Sequence, residues 1–288
     1  MNYKIRVSNL KKSYGKKEVL KGISFDIKEG EIFALLGING AGKTTTLECM
    51  EGLREYDYGK IYINGKVGVQ LQTSSLPENI RCYEVLNLFS KWNKGSIDNE
   101  LIKRLGLKNI LKKQYKELST GQKRRLHLVL SIIGNPDIIF LDEPTAGLDV
   151  EGRVSFHEEI KRLKSSGKTI IIASHDMAEV ESLCDKIAIL KDGCIVFIGT
   201  ANELTNNIKS VYKIKVKLSA KLENLQINYS EYKGIDKEYY NFESNCVHEA
   251  LLELLNLIKE NKIDINDIKI ERASLEECFM SITKGDEE

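Results

Sequence analysis

The chain has no apolar run approaching the ~20 residues needed to cross a bilayer; Ile32 to Leu36 and Ile170 to Ala173 are typical of its longest. A membrane-spanning role is therefore not expected. The opening residues, Met-Asn-Tyr-Lys-Ile-Arg, lack the apolar core of a signal peptide, so the expected location is the cytoplasm, where thiols stay reduced. Cys49, Cys82, Cys184, Cys194, Cys246 and Cys278 include no Cys-x-x-Cys pair and have no histidine at ligand spacing. That leaves buried apolar thiols in place of a disulfide framework or a metal site. An excess of charge of one sign is also missing: 43 Lys and Arg face 42 Asp and Glu. The whole-chain balance gives no nucleic-acid footprint, and no nucleic-acid partner is expected. Repeats and low-complexity tracts are absent as well.

What the sequence does contain is organised in blocks. Residues 3 to 28 alternate apolar and polar positions, as in Tyr3-Lys-Ile-Arg-Val7 and Ile23-Ser-Phe-Asp-Ile27, the pattern of half-exposed antiparallel strands. Ile32–Leu36, Ile138–Leu141 and Thr169–Ala173 are instead apolar throughout, as in parallel strands buried on both faces. Each runs into a loop of polar residues, which predicts a site at the carboxyl ends of a sheet flanked by helices. Asn64-Gly65 and Asp192-Gly193 read as tight hairpin turns. From about residue 83 to 135 the pattern is helical and predicts an insertion, with Val85, Leu86, Leu88 and Phe89 among charged residues. Near Thr200-Ala-Asn-Glu203, a capping-box sequence, the character changes. Val211 to Leu218 alternates; Val247, Ala250, Leu251, Leu254, Leu255 and Ile258 mark one helical face; Ile268–Ile270 reads as a short strand, and Ser274-Leu-Glu-Glu277 caps a last helix. The expected division is a domain over 1–206 and a small α+β domain over 207–288.

The most specific feature is Gly37-Ile-Asn-Gly-Ala-Gly-Lys-Thr44, placed directly after an apolar strand. Glycines in such a loop let successive backbone N–H groups turn toward a triphosphate, and the helix that follows points its positive dipole end at the anion. Gly37, Asn39, Gly40, Ala41, Gly42, Lys43, Thr44 and Thr45 form the candidate phosphate cradle, with Lys43 reaching the terminal phosphates and Thr44 offering its hydroxyl to Mg²⁺. The 288 residues leave no room for a second full unit of this kind. Asp137-Ile-Ile-Phe-Leu-Asp142-Glu143 ends another apolar strand on two carboxylates that suit different tasks. Asp142 can hold Mg²⁺, directly or through water, while Glu143 can polarise an attacking water.

With Leu118-Ser-Thr-Gly-Gln122 added, the chain resembles the ATPase subunit of an ABC transporter over roughly residues 1 to 230. The resemblance implies an α/β P-loop fold with an antiparallel β subdomain, a helical insertion and a small C-terminal domain, and it implies ATP and Mg²⁺ as ligands. In that family the segment resembling Leu118–Gln122 completes the ATP site of a partner subunit, which assigns Ser119, Gly121 and Gln122 to a nucleotide sandwiched between two chains. Thr120 departs from the commoner glycine. Tyr14 matches the aromatic residue stacked on adenine, Gln72 the glutamine that touches Mg²⁺ and the attacking water, and His175 the histidine that contacts the γ-phosphate. Gln70, two residues before Gln72, leaves a second register open, and Asp149 in Ala146-Gly-Leu-Asp149 fits either subunit communication or a helix N-cap. His127, His157 and His248 receive no role.

By the same resemblance the partners are a separate integral-membrane permease and a second ATPase chain, identical or related. Ile268–Phe279 is similar to the ending of drug, antibiotic and bacteriocin exporters, which implies export and a place on the inner face of the membrane. Two other readings stand beside this one, a non-transport ABC ATPase and an ATP-dependent regulatory module. Asn261-Lys-Ile-Asp264 matches the base-reading tetrapeptide of GTPases, but Asp142 lacks the following glycine that such a switch requires.

Overall fold

The computed structural model describes residues 3–70, 76–207, 212–222, 227–272 and 274–284. They form two compact units that divide between Thr200 and Ala201. The first unit opens with β1 (Tyr3–Tyr14), β2 (Lys17–Lys28), β3 (Ile32–Leu36), α1 (Lys43–Met50), β4 (Tyr58–Ile63) and β5 (Val67–Gln70). Three helices follow, α2 (Cys82–Asn93), α3 (Asn99–Arg104) and α4 (Thr120–Ile132). The remainder is β6 (Ile138–Asp142), α5 (Val150–Ser165), β7 (Thr169–Ser174), α6 (Met177–Leu183), β8 (Lys186–Lys191) and β9 (Cys194–Gly199).

The two kinds of apolar pattern separate into two sheets. Alternation in β1 and β2 puts Ile5, Val7, Leu10, Leu20, Ile23, Phe25 and Ile27 on one buried face of an antiparallel sheet ordered β2-β1-β4. The continuously apolar strands enter a six-stranded sheet ordered β5-β6-β7-β3-β8-β9, parallel except for the β8–β9 pair. Both of its faces are covered, so every residue of β3, β6 and β7 is buried. On one side Phe33, Leu35, Ile138 and Phe140 pack with α1 and the small sheet; on the other, Ile139, Leu141, Ile170 and Ile172 pack with Leu86, Val129 and Phe156 of α2, α4 and α5.

One turn differs from the sequence expectation. Asp192-Gly193 does join the antiparallel pair β8–β9, but Asn64-Gly65 joins β4 to β5, strands that belong to different sheets and do not pair. The reason is a distant contact. The Asp137 carboxylate accepts from the Lys66 backbone N–H at 2.8 Å, which holds its pKa below the usual carboxylate range and steers β5 alongside β6.

The second unit contains α7 (Ala201–Asn207), β10 (Tyr212–Leu218), β11 (Glu231–Asp236), β12 (Tyr239–Ser244), α8 (Val247–Glu260), β13 (Ile265–Glu271) and α9 (Leu275–Lys284). Its antiparallel sheet, ordered β11-β12-β10-β13, buries Ile214, Val216, Tyr240 and Phe242 against Ala250, Leu254 and Ile258 of α8. The helical face is narrower than the sequence pattern, because Leu255 remains 44% exposed. No helix among the described residues is long and apolar enough to cross a membrane.

Candidate functional site

Three strand ends meet at the carboxyl edge of the large sheet because β3 lies beside β7 and β7 beside β6. The loop after β3 turns into α1 through Gly42, whose φ of 108° is left-handed backbone that glycine adopts without strain. A Cβ there would meet Leu20 Cδ2 at 2.7 Å, and one at Gly37 would meet the Leu190 carbonyl at 2.7 Å, so these two glycines also permit close packing of the loop on β2 and β8. Lys43 folds back and donates from Nζ to the Gly37 carbonyl at 2.7 Å. Burial lowers its pKa, and the charges of Glu143 and Asp142 oppose that shift.

Beside the loop, the Thr44 hydroxyl donates to Asp142 Oδ2 at 3.1 Å, while Asp142 Oδ1 is buried with no hydrogen-bond partner. Burial pushes the Asp142 carboxyl above its ordinary pKa. A cation would reverse that bias. The orphaned oxygen, the adjacent threonine hydroxyl and an all-oxygen donor set fit Mg²⁺, so the residues present suit the ion that a triphosphate brings.

Glu143 follows at φ 48°, a conformation that costs a non-glycine residue energy. Its backbone N–H donates to the Ala173 carbonyl at 2.9 Å, which fixes the turn, and its carboxylate lies 2.8 Å from Nδ1 of His175 at the end of β7. The carboxylate is nearly buried; the imidazole is 67% exposed.

A cavity of about 470 Å³ opens over this edge, lined by Asn39, Gly40, Gly42, Lys43, Thr44 and Thr45 together with Glu143. Lys17 and Val19 from the start of β2 complete it. No local motif marks those two, since only the approach of β2 to the loop brings them there.

Other residues singled out by sequence lie elsewhere. Tyr14 ends β1 at 41% exposure with Lys12 and Arg54 within 6 Å of its ring centroid, and it does not line the cavity. Ser119 caps α4, accepting from the Gln122 N–H at 3.2 Å while Gln122 Oε1 accepts from the Ser119 N–H at 3.1 Å. Ser119, Gly121 and Gln122 are outside the cavity lining. Gly121 and its neighbour Thr120 adjoin the segment before α5: a Cβ on Gly121 would come within 3.3 Å of Leu148, and one on Gly147 within 2.9 Å of Thr120. Asp149 caps α5, its Oδ1 accepting from the Gly152 N–H at 2.8 Å. Gln72 falls outside the described residues. Gln70 is buried, with neither amide atom hydrogen-bonded.

The family described as ABC transporter matches residues 20–146. An ABC transporter ATP-binding protein of Methanocaldococcus jannaschii, MJ1023, is 38% identical over 244 residues, 83% of this chain and 92% of the relative. The linearmycin resistance ATP-binding protein LnrL of Bacillus subtilis is 31% identical over 312 aligned positions, 97% of this chain and 98% of its own. Among solved structures, the dimeric bacterial ABC transporter cassette MJ0796 superposes with a TM-score of 0.62 at 25% identity, covering 68% of this chain and 98% of that one. The glycine-rich Gly37–Thr44 loop, the paired Asp142 and Glu143, and a helix opening on Ser119 thus occur in a chain of which 83% and 97% align with two such proteins, and the chain belongs to the ABC transporter ATP-binding family, whose members are ATPases.

Proposed function

We propose that this chain is the ATPase of an exporter and works as a nucleotide-sandwiching pair, with an identical or a related chain, on the inner face of a membrane beneath a separate integral-membrane permease. The observation that carries the reading is the Glu143 carboxylate, nearly buried beside Lys43 and Asp142 and hydrogen-bonded to His175. The linearmycin resistance relative, aligned over almost the whole chain, and the exporter-like ending Ile268–Phe279 support the direction of transport.

In this reading the loop N–H groups and Lys43 hold the β- and γ-phosphates, with Asn39 among the residues lining the cavity. Thr44 and Asp142 would hold Mg²⁺, which would supply charge neutralisation at the phosphoryl oxygens. Glu143 accepts the proton of the attacking water on its carboxylate. His175 keeps that carboxylate oriented through Nδ1, and its exposed ring contacts the γ-phosphate. Gln72 orients the water, Tyr14 carries the adenine, and Ser119, Gly121 and Gln122 serve the nucleotide held by the second chain. The Ser119 hydroxyl accepts from its own helix and still has its proton to donate to a phosphate.

Glu143→Gln tests the assignment, since it preserves shape while removing the base. The variant is expected to bind ATP and to lose at least ~10²-fold in turnover. An unchanged phosphate-release rate would move the base elsewhere.

A further inference from the structure

The turn that carries His175 is tied down by contacts from the two helices beside it, α6 and α5. Ser174 Oγ donates to Glu179 Oε2 at 2.7 Å and accepts from the Asp176 N–H at 3.0 Å, closing the turn around His175. The two carboxylate oxygens of Asp176 have separate partners. Oδ1 accepts from the Glu179 N–H at 3.1 Å and caps α6, while Oδ2 accepts from Arg153 Nη1 on α5 at 2.9 Å. One helical turn beyond Arg153, on the same face of α5, His157 places Nε2 3.6 Å from Glu179 Oε1. Both atoms are buried and neither has a hydrogen-bond partner. A small approach of α5 would satisfy both.

Resting on the function proposed above, we infer that Arg153 is a positioning residue for His175, acting through Asp176. The origin of α5 gives this a purpose. Its cap is Asp149, the end of the segment that packs on Thr120 and Gly121 of α4, so a shift where a second chain's nucleotide is served moves Arg153. Arg153 then turns the cap of α6, and His175, one residue before that cap, turns with it. The side chains of Arg153 and Asp176 are 44% and 27% exposed, and ion pairs that wet contribute little to stability. Their value here is orientation, which separates this role from a merely structural one.

The test uses the full chain labelled with ¹³C and ¹⁵N at histidine. Its four histidines are assigned by substituting each in turn. In Arg153→Ala the ring signals of His175 are expected to shift or broaden while those of His127 and His248 stay in place. ATP turnover is expected to fall about tenfold or more with KM within about twofold, since misplacement costs rate more than binding. Tm is expected to move by less than about 4 °C, and Arg153→Lys to recover most of the rate. Unmoved His175 signals would overturn the inference, as would unchanged turnover or a loss that only follows Tm. The ring signals are read without ATP. A His175→Ala chain that hydrolyses ATP at the wild-type rate would therefore overturn the role proposed for His175 itself and be distinguishable from a failure of Arg153 to position it.

Discussion

Glu51→Gln offers a stability test whose sign depends on pH. Glu51 directly follows α1, partly buried, with Oε2 lacking any hydrogen-bond partner. Burial chiefly, then the charges of Asp142 and Glu48, raise its pKa from 4.5 to about 7. Between those values the unfolded chain has released the proton and the folded chain keeps it, so stability falls as pH rises through this window. At 1.36 kcal/mol per pH unit the full cost above pH 7 is about 3 kcal/mol, and solvent screening of a partly exposed carboxyl reduces it to roughly 1.5 kcal/mol. Glutamine is neutral throughout and escapes the cost. For a unit of this size the variant should gain about 3–6 °C in Tm near pH 8, and less than half of that near pH 5.5. Differential scanning calorimetry at the two pH values measures it. An equal gain at both, or a loss at the higher pH, would refute the argument.

Two further outcomes follow from the site. Lys43→Ala should weaken ATP binding by about tenfold or more, because a charge-assisted contact to phosphate is lost; titration calorimetry giving wild-type affinity would remove Lys43 from the site. Ser119→Arg and Lys43→Ala chains, each inactive alone, should regain part of their hydrolysis on mixing, since one site of the mixed pair is whole. Crosslinks from ATP at the Lys43 loop to a cysteine at Ser119 that form only within one chain would sink the two-chain site.

The fold was legible where a pattern is local. Continuous apolar runs in β3, β6 and β7 announced a doubly covered parallel sheet, and alternation in β1 and β2 announced a one-sided one. The Asn64-Gly65 turn was misread because a two-residue signal cannot report that Asp137, more than seventy residues away, captures Lys66. In the site, Lys43, Thr44 and Glu143 are visible as motifs since phosphate chemistry constrains residue type and spacing together. Lys17, Val19, Glu51 and Arg153 are invisible for the opposite reason. Each acquires its surroundings from an element far away in the chain, and its residue type alone is unremarkable.

The strand order also sets a schedule for synthesis. β3, which runs into the Gly37–Thr44 loop, has β7 and β8 as its hydrogen-bonding neighbours, and Ile32 pairs with Ile170. At 5–20 residues per second, about 7–30 s pass between the emergence of those two residues from a ribosome. Throughout that interval Ile32–Leu36, five apolar residues that end up fully buried, has no strand on either side. Among the described strands β3 thus waits longest for its neighbours, and a holding chaperone acting on this protein would find a client sequence there.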